Sequence, residues 1–328
     1  MSEPRFVSLR RAVPWGFVGM LALLSLGERV VARHEIDLIL PIAWEWKFSA
    51  RAASREAGEC EILSFGDSLI KLGLQPRIIE RQIGRRTFNL AVAGGQAPAS
   101  FFLFRRALEA GARPRAVMID CEYTLLSEGL DYNRRQWPEL LSLRDAVELS
   151  WTARDAGFFA TMLLARAFPT FKDRHDIRAS LMRALRGQNL GLREEMRSSR
   201  RNWKLNAGAR LFAKNAQCKD VIVPPGTPLP PSTWQLQPLN AKYLKRFLDL
   251  AEAHDVTVFW LLTPITPGLQ DVFDRKGDTE RYDRFIRNVH AHWPNLVVVD
   301  ARRSGYDHSV FVDPVHLDRQ GSLVLSTD

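Results

Sequence analysis

The chain has 328 residues, 46% hydrophobic and 25% charged, with a formal net charge of +9. That composition excludes a disordered or fibrous protein and permits one sizeable core, as one domain with insertions or as two small ones. The positive charge suits an anionic surface such as phospholipid headgroups or an acidic polymer; no RNA- or DNA-binding motif accompanies it, so nucleic acid is not an expected partner.

The first element lies in RFVSLRRAVPWGFVGMLALLSLGERVVARH, where no charge appears from Ala12 to Leu26 and Arg5, Arg10 and Arg11 precede the run. Basic residues before an apolar run are the arrangement of a signal sequence or an N-in anchor. The uncharged run spans about 22 Å, so Val30 and Val31 have to join it, past Glu28 and Arg29, to approach a hydrocarbon core of about 30 Å. Residues 1–33 are therefore expected to be an N-terminal hydrophobic anchor or signal segment. It would make the membrane a partner and put the rest of the chain on the non-cytoplasmic side. The alternative is a buried or amphipathic helix on a cytoplasmic protein. Residues 34–59 read as a juxtamembrane spacer, whose Trp44 and Trp46 sit either at an interface or in ordinary packing.

A regular alternation follows. EILSF is a short apolar strand, SLIKLGLQPRIIERQIG has helical apolar spacing broken at Pro76, and TFNLAVAGG is a strand ending in glycine. SFFLFRRALEAGA reads as a helix and RAVMID as a strand. Far downstream come NAKYLKRFLDLAEAHD, a helix with Asn240 as its expected cap, the buried strand VTVFWLLTPI, a helix around RYDRFIRNVHAHW and the strand NLVVVD. Strands alternating with helices imply right-handed crossovers and a parallel sheet covered on both faces. The expected fold is α/β: a flavodoxin-like three-layer α/β/α sandwich of about five parallel strands, filling residues 60–328.

Between about 125 and 237 the alternation stops. This block is helix-rich and basic, with Ile177, Leu181 and Leu185 on one helical face, and it closes with the Pro-rich VPPGTPLPPSTW. Because the strands resume beyond it, it reads as a helical insertion in the third crossover. Cys60, Cys121 and Cys218 are widely spaced with no C-x-x-C pair, so buried thiols rather than a disulfide framework or a zinc site are expected. His290 and His292 point apart on a helix, with no carboxylate cluster beside them, and are read as surface residues. No metal and no cofactor is expected.

Three strand ends carry the chemistry. Ser68 follows the first strand in FGDSL, Gly94 the second in NLAVAGG, and Asp313 and His316 follow the last in DPVHL. A serine between strand and helix is also an ordinary helix cap. A serine hydroxyl is a poor nucleophile until a base takes its proton, and a histidine base needs a third group to fix its tautomer; Asp-x-x-His supplies both from one turn. The backbone N–H groups of Ser68 and Gly94 are the candidate oxyanion donors. Asp67 reads as a cap or brace for the turn. Glu122, at the end of the third strand, is read either as a substrate contact or as a polar strand terminus, and Asp307 with His308 as a rival pair in a loop.

In these blocks the chain resembles the SGNH/GDSL hydrolase superfamily, over about residues 60–124 and 240–326. The resemblance implies Ser68 as nucleophile, Gly94 as oxyanion residue, and Asp313 and His316 as the remaining catalytic pair. The G-x-S-x-G elbow of α/β-hydrolases is not met, since Ile70 stands where the second glycine belongs. One block departs: after the third strand the family carries Gly-x-Asn-Asp, whose asparagine is a further oxyanion donor, whereas this chain reads MIDCEYT. Gln96 and Tyr123 are the candidate substitute donors. The resemblance implies a serine-dependent ester hydrolase working through an acyl-enzyme on Ser68. The alternatives are an O-acyltransferase on a cell-envelope glycan, for which the basic charge suits an anionic one, and a non-catalytic SGNH-like envelope protein.

Overall fold

The computed structural model describes residues 15–33, 41–168, 170–188, 192–213 and 234–328. Helices α1 (Trp15–Arg33) and α2 (Pro41–Arg55) precede strand β1 (Ile62–Phe65). Then come α3 (Ser68–Gly73), α4 (Pro76–Ile83), β2 (Thr87–Asn89), α5 (Ala97–Glu109) and β3 (Ala116–Ile119). The helical block holds α6 (Tyr123–Ser127), α7 (Trp137–Leu140), α8 (Leu143–Ala153), α9 (Ala156–Ala167), α10 (Arg174–Leu185) and α11 (Leu192–Leu205). The chain returns through α12 (Pro238–Ala253), β4 (Thr257–Leu262), α13 (Pro267–Lys276), α14 (Asp278–His290), β5 (Leu296–Asp300) and α15 (Arg319–Leu325).

The five strands form one parallel sheet in the order β2-β1-β3-β4-β5, flanked by helices. Alternation along the strands divides the core. Leu63, Phe65, Val117, Ile119, Val258 and Trp260 pack with Phe102 and Phe104 of α5 and Phe247 of α12. The intervening Ile62, Met118 and Leu261 meet Ile70, Phe311, Leu317 and Leu325. Phe65 is fully buried, with ring centroids 5.4 Å from Phe104 and 5.5 Å from Phe247; truncating such a side chain to alanine costs about 3–5 kcal/mol. The break at Pro76 has a local cause. Gln75 is the N-cap of α4, Pro76 fills its first turn, where no N–H is needed, and Gly84 ends it in the left-handed region at φ 65°.

Several expectations change. Among the described residues no helix is long and apolar enough to cross a membrane, which overturns the N-terminal anchor. Glu28 and Arg29 fall inside α1, and the uncharged run from Trp15 to Gly27 covers only about 20 Å at about 1.5 Å per residue, against a hydrocarbon core of about 30 Å. Glu28 instead accepts a 2.8 Å hydrogen bond from the Thr170 N–H in the helical block. The membrane as a partner through this segment, and the placement on the non-cytoplasmic side derived from it, fall with the anchor. Arg5, Arg10 and Arg11 lie outside the described residues, as do Cys218 and most of the Pro-rich stretch. The stretch 34–59 carries α2, whose Trp46 is 0% exposed and stands edge-on to Trp137 at 5.2 Å.

Asn240 does not cap α12. Gln237 is the N-cap and Pro238 opens the helix, while the Asn240 amide donates to the carbonyls of Leu125, Leu126 and Glu128 at 3.0–3.1 Å, tying the helix to the end of α6. The structure adds α13, PGLQDVFDRK, between β4 and the helix around RYDRFIRNVHAHW, where the sequence analysis gives no element. Cys60 and Cys121 are buried free thiols.

Candidate active site at the strand ends

The first turn of the site follows from β1. Gly66 sits at φ +129°, and a Cβ there would stand 2.7 Å from the Asp120 carbonyl; one on Gly95 would stand 2.4 Å from the Gly66 carbonyl. Glycine at both positions lets β1, β2 and β3 bring their loops into backbone contact. Asp67, not Ser68, caps α3, its Oδ1 accepting from the Leu69 N–H at 2.7 Å. Ser68 is the first helical residue, with its hydroxyl left for other work.

That hydroxyl lies 2.8 Å from His316 Nε2, and His316 Nδ1 lies 2.6 Å from Asp313 Oδ2. The other oxygen of Asp313 accepts from the N–H groups of Val315 and His316 at 3.0 and 2.9 Å, so one carboxyl folds the Asp-Pro-Val-His turn and orients its imidazole. Phe311 and Leu317, both buried and paired across an antiparallel bridge, hold the two ends of the turn. The Thr266 N–H donates to the Pro314 carbonyl at 2.9 Å and fastens the turn to the loop after β4. Burial opposes ionisation of Asp313, but the hydrogen bond and charge of His316, with the two N–H groups, outweigh it and hold the carboxyl below its ordinary range.

Gly94, at φ +70°, lies on the loop after β2. The Val92 N–H donates to the Gly66 carbonyl at 3.1 Å, which seats this loop against the turn carrying Ser68. Neither the Ser68 nor the Gly94 N–H is bonded to a protein acceptor among the described residues. The arrangement therefore holds a hydroxyl, a base, an orienting carboxylate and two unspent backbone donors on one edge of the sheet, where ligands of open parallel sheets bind.

Of the two candidate substitute donors, Gln96 has its amide nitrogen committed and Tyr123 lines a neighbouring cleft with Leu69. Gln96 is buried, and its amide nitrogen donates to the carbonyls of Glu128 and Gly129 at 2.8 and 3.1 Å. Tyr123 lies in a cleft at the ends of β3 and β4, its ring edge-on to Phe273 at 4.9 Å, with Leu69, Glu122, Ile265 and Tyr282 around it. Glu122 caps α6, accepting from the Leu125 N–H at 3.1 Å and from the Thr124 hydroxyl. Burial raises its pKa, with those hydrogen bonds opposing. Asp120 is pushed up to about 8, by burial first and then by the Glu122 charge, although the Thr263 hydroxyl donates to it at 3.1 Å. Burial, then Asp120 and Glu122, push Asp67 well above the usual carboxylate range.

His316, not His308, is the imidazole on Ser68; Asp307 accepts from the Ser309 N–H at 2.6 Å and caps a short turn. His292 is exposed and bonds the Asn288 carbonyl through Nδ1 at 2.7 Å.

The sequence reading missed two contacts to the Gly94 loop. Trp46 Nε1 donates to the Ala93 carbonyl at 3.0 Å, and Asn133 Nδ2, from the 3₁₀ turn Leu130–Asn133, donates to the Gly94 carbonyl at 2.7 Å. Neither has a local sequence signal, since each bridges some forty residues or more. Comparison of the chain with protein-family models finds no match, and comparison with curated proteins likewise finds none.

Proposed function

We propose that this chain is an SGNH/GDSL-type serine esterase, a carboxylic ester hydrolase acting through an acyl-enzyme on Ser68. The observation that carries the reading is the hydrogen-bonded series Ser68 Oγ, His316 Nε2, His316 Nδ1 and Asp313 Oδ2. Strand order 2-1-3-4-5, the order of flavodoxin-like sheets, supports the corresponding three-layer sandwich.

In this mechanism His316 takes the Ser68 proton on Nε2 as Oγ attacks the ester carbonyl carbon, and Asp313 stabilises the imidazolium through Nδ1–H. The carbonyl oxygen becomes an oxyanion, accepting from the N–H groups of Ser68 and Gly94. Collapse expels the alcohol, which takes the proton from His316. Water then loses a proton to His316 as it attacks the acyl carbon, and collapse releases the acid while His316 returns that proton to Ser68 Oγ.

A second reading, O-acyltransfer to a glycan hydroxyl, shares every step except the last acceptor. It is favoured by the Tyr132 ring edge of the helical block, which stands 3.3 Å from the position of a Cβ on Gly94 and so walls the site on one side. The absence of an asparagine after β3 motivates a third, non-catalytic reading. A fluorophosphonate probe decides between catalysis and its absence. We expect Ser68 to be labelled and both Ser68→Ala and His316→Ala to abolish labelling and esterase activity to a similar extent, because the residues act as a unit. Persistent labelling of Ser68→Ala, or no labelling of the wild-type chain, refutes the proposal.

A further inference from the structure

We infer that Trp46 and Asn133, from outside the sheet, are positioning residues that aim the Gly94 N–H at the oxyanion. The inference rests on the proposed function, with Ser68 as nucleophile. The peptide joining Ala93 to Gly94 is trans, as are all peptides in the described chain, so its carbonyl and its N–H point in opposite directions. Trp46 Nε1 holds that carbonyl at 3.0 Å. Fixing the oxygen on one side fixes the Gly94 N–H on the other, the side left without a protein acceptor.

The following peptide is held as well. Asn133 Nδ2 donates to the Gly94 carbonyl at 2.7 Å and to Gln96 Oε1 at 3.1 Å. The direction of this relay is set by its far end. The carbonyls of Glu128 and Gly129 can only accept, so Gln96 must present its nitrogen to them and its oxygen to Asn133. Asn133 must then present its nitrogen to both partners. With both flanking carbonyls tied, Gly94 is held at φ +70°, a conformation glycine adopts freely and therefore leaves freely.

Trp46 is 0% exposed and Asn133 3% exposed, so both donors are shielded from bulk water, while the Ala93 and Gly94 acceptors are half-buried. The anchors come from α2 and from the helical insertion. In a site without the side-chain donor after β3, a backbone donor carries a larger share of the oxyanion, and its aim matters correspondingly more.

The test uses the full chain with a short-chain ester and its thiono analogue, in which sulfur replaces the carbonyl oxygen and accepts N–H bonds poorly. Trp46→Phe keeps the ring packing on Trp137 and removes the donor. The expected result is a fall of about tenfold in the ratio of oxo to thiono kcat/KM, with KM changed by less than about twofold. A general loosening of the fold would lower both substrates alike. Asn133→Ala, away from the α2 packing, is expected to act in the same direction and keeps the test open if Trp46→Phe fails to fold. The double variant should lose less than the product of the two, because both act on Gly94. An unchanged ratio in folded variants overturns the inference. If the wild-type chain turns over neither ester and Ser68 is not labelled, the parent reading fails instead. Amide hydrogen exchange over residues 92–96 then decides: faster exchange in Trp46→Phe supports the clamp, and wild-type exchange overturns it.

Discussion

Replacing Asp313 by asparagine separates its two duties. Oδ1 folds the turn by accepting from the Val315 and His316 N–H groups, and an asparagine oxygen can do the same. Oδ2 faces His316 Nδ1 at 2.6 Å, and there the variant presents an NH₂ group. A donor at that point forces Nδ1 to accept, which moves the imidazole proton to Nε2 and turns it toward Ser68 Oγ. The base then carries a proton where it should receive one. A change of this kind costs about 10³- to 10⁴-fold in turnover, or about 4–5.5 kcal/mol of barrier at 1.36 kcal/mol per decade. The Asp313 side chain is 43% exposed, so solvent can partly substitute for it, and the loss should be smaller than in Ser68→Ala or His316→Ala. The assay is kcat/KM on a short acyl ester, beside a thermal melt that should hardly move because the turn keeps its acceptor. Activity within tenfold of wild type would refute the assignment of Asp313 as the orienting group.

Two further outcomes follow from the site. Asp120 has a folded pKa of about 8, raised by burial, against about 3.9 in the unfolded chain; its contribution to stability is complete below about pH 4 and is lost as pH rises toward 8. Asp120→Asn, which retains an acceptor for Thr263, should therefore raise Tm relative to wild type more at pH 8.5 than at pH 5, and an equal or reversed difference contradicts the burial argument. Hydrolysis and transfer are separated by partitioning an acyl donor between water and added sugars: free acid is expected to dominate at millimolar acceptor, and acylated sugar in excess would establish the transferase reading.

The parts of the site written in short sequence windows were legible. FGDSL and DPVHL each fall within one turn, and the apolar runs located all five strands because strands of a parallel sheet are nearly continuous in hydrophobicity, a signal β5 keeps although Val297 and Val299 are exposed. What was not legible depends on contacts far apart in the chain. Trp46 reads from sequence as either interfacial or packed, because tryptophan is amphipathic, and only its place against Trp137 and the Ala93 carbonyl decides between the two. Asn240 looked like a cap because asparagine before an apolar run usually is one; Pro238 starts the helix earlier and frees the amide for α6. The apolar run before Glu28 looked like an anchor on hydropathy, but its uncharged length falls short of a bilayer.

The proposed oxyanion site relies on main-chain donors, and this has a physical consequence for the architecture around it. A side-chain amide can be aimed by its own rotamer, whereas a peptide N–H is aimed only by fixing the backbone on both sides of it. For Ser68 the helix does this: Asp67 caps α3, and Ser68 stands in its first turn, where an N–H has no intrahelical acceptor. Gly94 has no helix of its own and stands on a loop of low conformational resistance. Its rigidity must be imported, and the donors that reach its carbonyls come from α2, before the sheet begins, and from the insertion within the third crossover. Two segments outside the sheet thereby become part of the mechanism proposed for it. The α2 helix, on this argument, is not a passive connection to the N-terminus, and the insertion is not only a wall around the substrate. Removing α2 outright would not isolate this contribution, because Trp46, Ala50, Ala52 and Ala53 also belong to the main core; Trp46→Phe removes the Ala93 contact alone, and there the Ala93–Gly94 peptide loses its anchor while Ser68, His316 and Asp313 keep theirs.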